Sequence, residues 1–193
     1  MTEREILFTG IGGQGIQLMA KVLADAAART GRYAMLFGLY HGAMRGSPSD
    51  STLVVGDAPI EAPPIVPACW SVVAMHPASL EPLLPKIRPG GFLFADETLV
   101  DTLPPQGVTR IAVPATRIAE RDGSRLGAGM VMLGAFVGWT ALVALDEVVA
   151  AMRAALPSHR AKMADANAAL LDAGAAWARD AKSPGLGVSA VKN

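Results

Sequence analysis

The run Gly10-Ile11-Gly12-Gly13-Gln14-Gly15 satisfies the pattern G-x-G-x-x-G. Such a loop suits an anion. Its first glycine permits a tight turn, its second lets a pyrophosphate approach the backbone, and its third lets the next helix pack on the strand before it. Unpaired N–H groups at the start of that helix then favour negative charge. Residues 5–9 (EILFT) read as a strand and the residues from Gln14 onward as a helix, the context this pattern requires. A phosphate-bearing ligand is one reading. A tight strand-to-helix turn with no ligand is the other. A nicotinamide dinucleotide would also want a carboxylate about 20 residues on, to hold the ribose. Phe37-Gly38-Leu39-Tyr40-His41 offers none there, and Asp50 comes too late. No Gly-Lys-Ser/Thr follows the loop, so it is not a P-loop.

A second loop, residues 42–51 (GAMRGSPSDS), sets Arg45 among small residues that let backbone and hydroxyl groups reach a ligand. Arginine presents a planar fork suited to phosphate or carboxylate. A solvated turn carrying one arginine is the alternative. Other polar residues point elsewhere. His41 and His76 have no partner at metal-ligand spacing, so a structural or surface role is the simpler account. Asp96-Glu97 follows a strand and reads as a helix N-cap. Ser47, Ser49 and Ser51 do not sit in a G-x-S-x-G elbow, so nucleophilic catalysis has no support. The single cysteine, Cys69, forms no internal disulfide and holds neither an iron–sulfur cluster nor a zinc set. No catalytic constellation and no metal set is present. These residues suggest binding and positioning of a ligand, not bond-making.

The elements that must position the two loops follow from periodicity. Strands are expected at 5–9, 33–37, 51–55, 70–75, 91–95 and 108–113. A helix is expected from 14 to about 30, with Ile16, Met19, Ala20, Leu23 and Ala27 on one stripe. Residues 38–50 read as a loop and 77–86 as a short helix broken by prolines. From Pro114 the chain turns helical, near 115–122, 128–143, 146–155 and 159–181. Strands alternating with helices imply an α/β fold: a mostly parallel, Rossmann-like sheet flanked by helices on both faces, with a helical C-terminal part. Strand order should place the second loop beside the glycine loop, at the carboxyl ends of the strands. Residues 1–181 read as one domain and 182–193 as a tail.

The chain has 193 residues, zero formal net charge, 51% hydrophobic and 18% charged residues, and a mean hydropathy of +0.34. Zero charge argues against nucleic acid as a partner. Low charge with high hydropathy argues against disorder. The N-terminus lacks a signal-length apolar core, and with one cysteine this suits a reducing cytoplasm. Residues 126–145 hold no charge over a length that could span a bilayer. A helix buried in protein is the preferred reading, because four glycines lower its lipid affinity and no basic cluster marks a cytoplasmic end. A membrane-anchored interaction protein is the alternative. The apolar excess predicts packing inside the domain and against sister subunits.

At this point a resemblance emerges. ILFTGIGGQGIQLMAKVLADAA followed by GAMRGSPSDSTLVVGDAPI resembles the gamma subunit of 2-oxoacid:acceptor oxidoreductases, the family of pyruvate– and indolepyruvate–ferredoxin oxidoreductase. That family pairs a G-x-G-G-Q-G loop with a later M-R-G-G/S-x-S-x-S loop. The similarity continues through VVAMHPASLEPLLPKIRPGGFLFAD and MVMLGAFVGW to LPSHRAKMADANAALLDAG, covering most of residues 4–174. One departure is Gly129, where relatives often carry asparagine before M-V-M-L-G.

The resemblance implies a complex that oxidatively decarboxylates a 2-oxoacid and releases an acyl-CoA. Thiamine diphosphate, magnesium and iron–sulfur clusters would belong to partner subunits of alpha, beta and ferredoxin-like delta type. The acceptor would be ferredoxin or an NAD-linked flavin subunit. This chain would bind no cofactor alone but would help form a shared coenzyme A site. By motif, Gly10, Gly12, Gly13, Gln14 and Gly15 would meet CoA phosphates or the active-site mouth. Met44, Arg45, Gly46, Ser47 and Ser49 would form the facing wall, unless the two loops serve subunit contact instead. A separate chain this short resembles the indolepyruvate-type subunit, which puts aromatic 2-oxoacids among the expected substrates. The alternative is a free-standing Rossmann-like dinucleotide-binding oxidoreductase.

Overall fold

The computed structural model describes residues 3–40, 46–61, 65–122, 125–157 and 162–182. Strand β1 (Arg4–Ile11) leads into helix α1 (Ile16–Arg29), and then come β2 (Tyr33–Tyr40), β3 (Pro48–Gly56) and β4 (Cys69–Ala74). Two 3-10 turns, Pro77–Ser79 and Glu81–Lys86, lead to β5 (Ile87–Asp96) and β6 (Thr109–Val113). Helix α2 (Ala115–Arg121), a 3-10 turn (Arg125–Gly127), α3 (Ala128–Thr140), α4 (Leu145–Ala155) and α5 (Ala164–Lys182) complete the order.

The described strands form one six-stranded sheet in the order β2-β3-β1-β4-β5-β6. β1 runs parallel to β4, β4 to β5 and β5 to β6, while β3 runs antiparallel to both neighbours, β1 and β2. Five strands therefore share one direction and only β3 is reversed. Helix α1 carries the chain from β1 past β3 to β2, and the chain then turns left to right: β4, β5 and β6 build outward on the other side of β1. The order reverses between β1 and β4, where an open α/β sheet forms a crevice at its carboxyl ends.

Alternation along β1 sends Ile6 and Phe8 into the larger core, shared with all five α-helices, and Leu7 into a smaller one on the opposite face. The expected stripe of α1 is buried at Ile16, Met19, Ala20, Leu23 and Ala27. Among the described residues the α-helices lie on one face, not both. The other face is covered by the two 3-10 turns and extended segments that supply Val66, Leu80 and Val100. Prolines explain the difference: Pro77, Pro82 and Pro85 remove N–H donors that an α-helix over 77–86 would need. The loop expected over 38–50 is also shorter, because β2 runs to Tyr40 and β3 begins at Pro48.

The uncharged run 126–145 divides in two. Helix α3 ends at Thr140, Ala141 adopts a left-handed backbone (φ 52°), and α4 starts at Leu145. No helix among the described residues is long and apolar enough to cross a membrane. Ten consecutive residues of α3, Ala128 to Val137, are buried. Fully burying a side chain such as Leu133 or Phe136 stabilises by about 1.5–3 kcal/mol. On one side α3 meets the sheet, where Phe136 packs against Phe94 and Trp70 at ring separations of 5.0 and 6.1 Å. On the other it meets α5 without side chains between. A Cβ at Gly134 would overlap the Leu171 carbonyl, one at Gly174 the Val131 carbonyl, and one at Gly138 would sit 2.9 Å from the Ala175 Cα. Small residues thus let the backbones of α3 and α5 touch, and the packing expected inside the domain is found.

Candidate functional site

Both sequence motifs lie at the carboxyl edge of the sheet. Gly10 ends the alternation of β1 and pairs with Ser49, and the Gly12 N–H donates to the Ser47 carbonyl at 2.8 Å. The glycine loop and the second loop are therefore hydrogen-bonded neighbours. Gly46 and Ser47 begin the described part of the second loop. Met44 and Arg45 lie outside the described residues.

Within the glycine loop, Gly13 (φ 103°) and Gly15 (φ 76°) hold a left-handed backbone that other L-residues adopt at a cost of about 1–2 kcal/mol. Gly15 is the N-cap of α1, and no side chain caps that helix. Gln14 turns inward. Its Oε1 accepts the Ile11 N–H at 2.9 Å and its Nε2 donates to the Met75 carbonyl at 3.0 Å. The Met75 N–H in turn donates to the Thr9 carbonyl at 2.9 Å. The amide thereby joins the exits of β1 and β4. A Cβ at Gly10 would sit 2.6 Å from Gln14 Oε1, so the first glycine of the motif also makes room for this amide.

Ser49 and Ser51 are buried in β3 beneath α1. Ser51 Oγ donates to Gln17 Oε1 at 2.6 Å, while Gln17 Nε2 donates to the Asp50 carbonyl at 2.8 Å and to Ser49 Oγ at 3.3 Å. Thr9 Oγ1 donates to Asp50 Oδ1 at 2.7 Å from the opposite face. Asp96 is fully buried and accepts the Thr98 N–H at 3.2 Å, the Thr116 N–H at 3.4 Å and the Thr116 hydroxyl. Its expected capping role is thus performed for α2, across the sheet edge. Its neighbour Glu97 pairs with Arg117 at 2.5 Å. His76 Nδ1 accepts the Ala78 N–H at 3.2 Å, a structural cap on the first 3-10 turn.

A cavity of about 360 Å³ opens over this edge, lined by residues 11–14, Met75, His76, Leu99, Thr116, Arg125, Leu126 and Ala128. One wall is the glycine loop. Another is the start of α3, a second helix without a side-chain cap. Gly129 lets this start approach the loop, since a Cβ there would lie 2.9 Å from the Gln14 carbonyl. Uncapped N–H groups, one guanidinium and apolar Met75, Leu99 and Leu126 make a lining suited to an anionic group on a partly apolar body. The lining includes Gly12, Gly13 and Gln14 but neither Gly46 nor Ser49. Arg125 and Leu126 belong to neither sequence motif. The signal for Arg125 was its place as the last cation before an uncharged run, at the start of a helix.

A larger hollow of about 700 Å³ lies at the opposite edge, between the starts of β1 and β5 and the end of β3. Two of its lining charges, Arg88 and Glu5, pair with each other, Asp57 pairs with Arg32 at 3.2 Å, and neither motif reaches it. No group of three or more potential metal ligands occurs among the described residues. Burial pushes the Cys69 thiol up to about 12, against a smaller opposing pull from Lys86, so it is a packed neutral thiol at ordinary pH.

Comparison with known proteins gives this geometry a context. The family profile described as pyruvate ferredoxin/flavodoxin oxidoreductase matches residues 5–177. The ketoisovalerate oxidoreductase subunit VorA of Methanothermobacter marburgensis is 31% identical over 180 residues, covering 92% of this chain. The chain spans only 37% of that relative's length. The 2-oxoglutarate synthase subunit KorC of Methanocaldococcus jannaschii is 32% identical over 158 residues, covering 80% of this chain and 84% of the relative. Among solved structures, the keto/oxoacid ferredoxin oxidoreductase gamma subunit from Geobacter sulfurreducens superposes with a TM-score of 0.76. It is 26% identical, and the match covers 92% of this chain and 99% of that one.

Proposed function

The chain belongs to the pyruvate ferredoxin/flavodoxin oxidoreductase family as a gamma-type member, and from that premise we propose that it completes a coenzyme A site in a 2-oxoacid oxidoreductase complex. The complex would oxidatively decarboxylate a 2-oxoacid to an acyl-CoA. Residues 1–181 would act as one unit and 182–193 as its tail. The observation that carries the reading is the joining of the two motifs at the sheet's switch point, through the Gly12–Ser47 hydrogen bond, beside a cavity with an anion-suited lining. Gly12, Gly13, Gly15 and the α3 start would face CoA phosphates. Arg125 and Arg45 would supply positive charge, and Leu99 and Leu126 an apolar floor.

Thiamine diphosphate, magnesium and iron–sulfur clusters belong, on this reading, to alpha-, beta- and delta-type partners. The donor set agrees, since Cys69 is the chain's only cysteine and lies buried away from the cavity. This chain's part is to bind, orient and exclude water. The relatives are named for ketoisovalerate and 2-oxoglutarate. An aromatic 2-oxoacid is the further candidate. Ferredoxin is the proposed acceptor, with an NAD-linked flavin subunit as the other.

The test has two arms. Purified alone with thiamine diphosphate, a 2-oxoacid and a dye acceptor, the chain should give no turnover. In the assembled complex, Arg45→Ala and Arg125→Ala should each raise the KM for CoA. Turnover by the isolated chain, or CoA dependence indifferent to both arginines, overturns the reading.

A further inference from the structure

Gln17 is absent from both motifs, yet its amide makes three of the hydrogen bonds that hold the second one. Oε1 accepts from Ser51 Oγ at 2.6 Å, and Nε2 donates to the Asp50 carbonyl at 2.8 Å and to Ser49 Oγ at 3.3 Å. Gln14, three residues earlier, uses both ends of its amide in the opposite direction, toward β1 and β4. Each amide has a glycine beside it where a side chain would intrude. A Cβ at Gly10 would lie 2.6 Å from Gln14 Oε1, and one at Gly38 would overlap Gln17 Oε1. The atoms nearest that space at Gly38 all belong to the same amide. Its backbone is also outside the positive-φ set, so the first obstacle to alanine there is Gln17.

We infer that Gln14 and Gln17 are a pair of positioning residues that hold the two motifs of the proposed CoA site in place from the start of α1. Gln14 fixes the exits of β1 and β4, and Gln17 fixes the entry of β3 that carries the second motif. Gln14 lines the cavity while its Oε1 and Nε2 each make a hydrogen bond within the protein, and Gln17 does not line it. This adds a clamping role to the ligand contact expected of Gln14. The reason for placing both on one short segment is mechanical. Two amides rooted at a single helix start hold the two motifs as one body, whereas caps from separate elements would let them drift.

The inference rests on the CoA reading, and the test separates the two. In the assembled complex, Gln17→Ala should raise the KM for CoA about three- to tenfold, the range expected for one or two lost hydrogen bonds. The kcat at saturating CoA, the KM for the 2-oxoacid and subunit co-elution should stay unchanged. Gly38→Ala should raise the same KM, because its Cβ displaces the Gln17 amide. The double variant should be no worse than Gln17→Ala, because the amide is already gone. Gln17→Glu keeps acceptance from Ser51 but loses donation to Asp50, and should fall between wild type and Gln17→Ala. Multiplying effects in the double variant, or an unchanged KM in Gln17→Ala and Gly38→Ala while Arg125→Ala raises it, overturns the clamp alone. Indifference of CoA to Arg45→Ala and Arg125→Ala as well overturns the site reading beneath it. Should Gln17→Ala fail to assemble, Gly38→Ala carries the same prediction with the glutamine in place.

Discussion

Two regions of this chain are rich in glycine, and they use it for opposite purposes. At the crossing of α3 and α5, Gly134, Gly138 and Gly174 remove side chains so that two helix backbones touch. At the carboxyl edge of the sheet, Gly13 and Gly15 have open space where a Cβ would stand, and are there for their left-handed backbone. The first region is a dry contact with no room. The second is a shaped rim tied to the second motif by the Gly12 N–H and open above Gly13 and Gly15. Glycine content therefore says little by itself about function. What a Cβ would meet at each position separates the packing glycines from those held for their backbone conformation.

The sharpest way to break this comparison is to add one methyl group at the crossing. Gly134→Ala and Gly174→Ala each drive a Cβ into a backbone carbonyl that cannot rotate away. We expect a loss of about 3 kcal/mol or more, read by urea denaturation, with overpacking as the cause. A loss below about 1 kcal/mol would mean that the helices separate easily and that the crossing is not close-packed. The next effect is at the rim. Gly13→Ala should cost about 1–2 kcal/mol through backbone strain alone. It should also weaken CoA use in the complex, which neither crossing variant should do once folded. Equal effects on stability and on CoA would merge the two regions.

A third measurement uses a group outside both. The buried Cys69 thiol is pushed up to about 12 from an ordinary value near 9.0, so folding favours the neutral form. That stability is fully present below pH 9 and is lost as pH rises toward 12. By pH 10 the loss should be on the order of 1 kcal/mol, and Cys69→Ala should lack this component. Identical pH dependence in the two chains would show that the thiol does not contribute. Smallest is the exposed Lys21–Asp25 pair at 2.8 Å on α1. Lys21→Ala should change stability by about 0.5 kcal/mol or less, which a thermal melt can bound. A larger change would tie the surface of α1 to the clamps at its start.

Much of this was legible in the sequence because local pattern and tertiary role agreed. The stripe Ile16, Met19, Ala20, Leu23, Ala27 faces the core as its spacing requires. Both motifs were legible, and so was their meeting at one edge. Three features were not. The reversed direction of β3 depends on which neighbour it pairs with, and nothing within PSDSTLVVG encodes that. The burial of Ser49 under Gln17 is a contact between residues 32 apart, so the serine reads as a loop residue in isolation. The partner of the uncharged segment was also hidden. Gly134 and Gly174 announce a close contact, but only the fold shows that each faces the other's helix.

The central claim is that this chain completes a CoA site and performs no chemistry of its own. A calorimetric titration of CoA onto the purified partner subunits, with and without this chain, tests it most directly. The account predicts markedly tighter binding when the chain is present, and a return toward the partner-only affinity with Arg125→Ala. Equal affinity with and without the chain would contradict it.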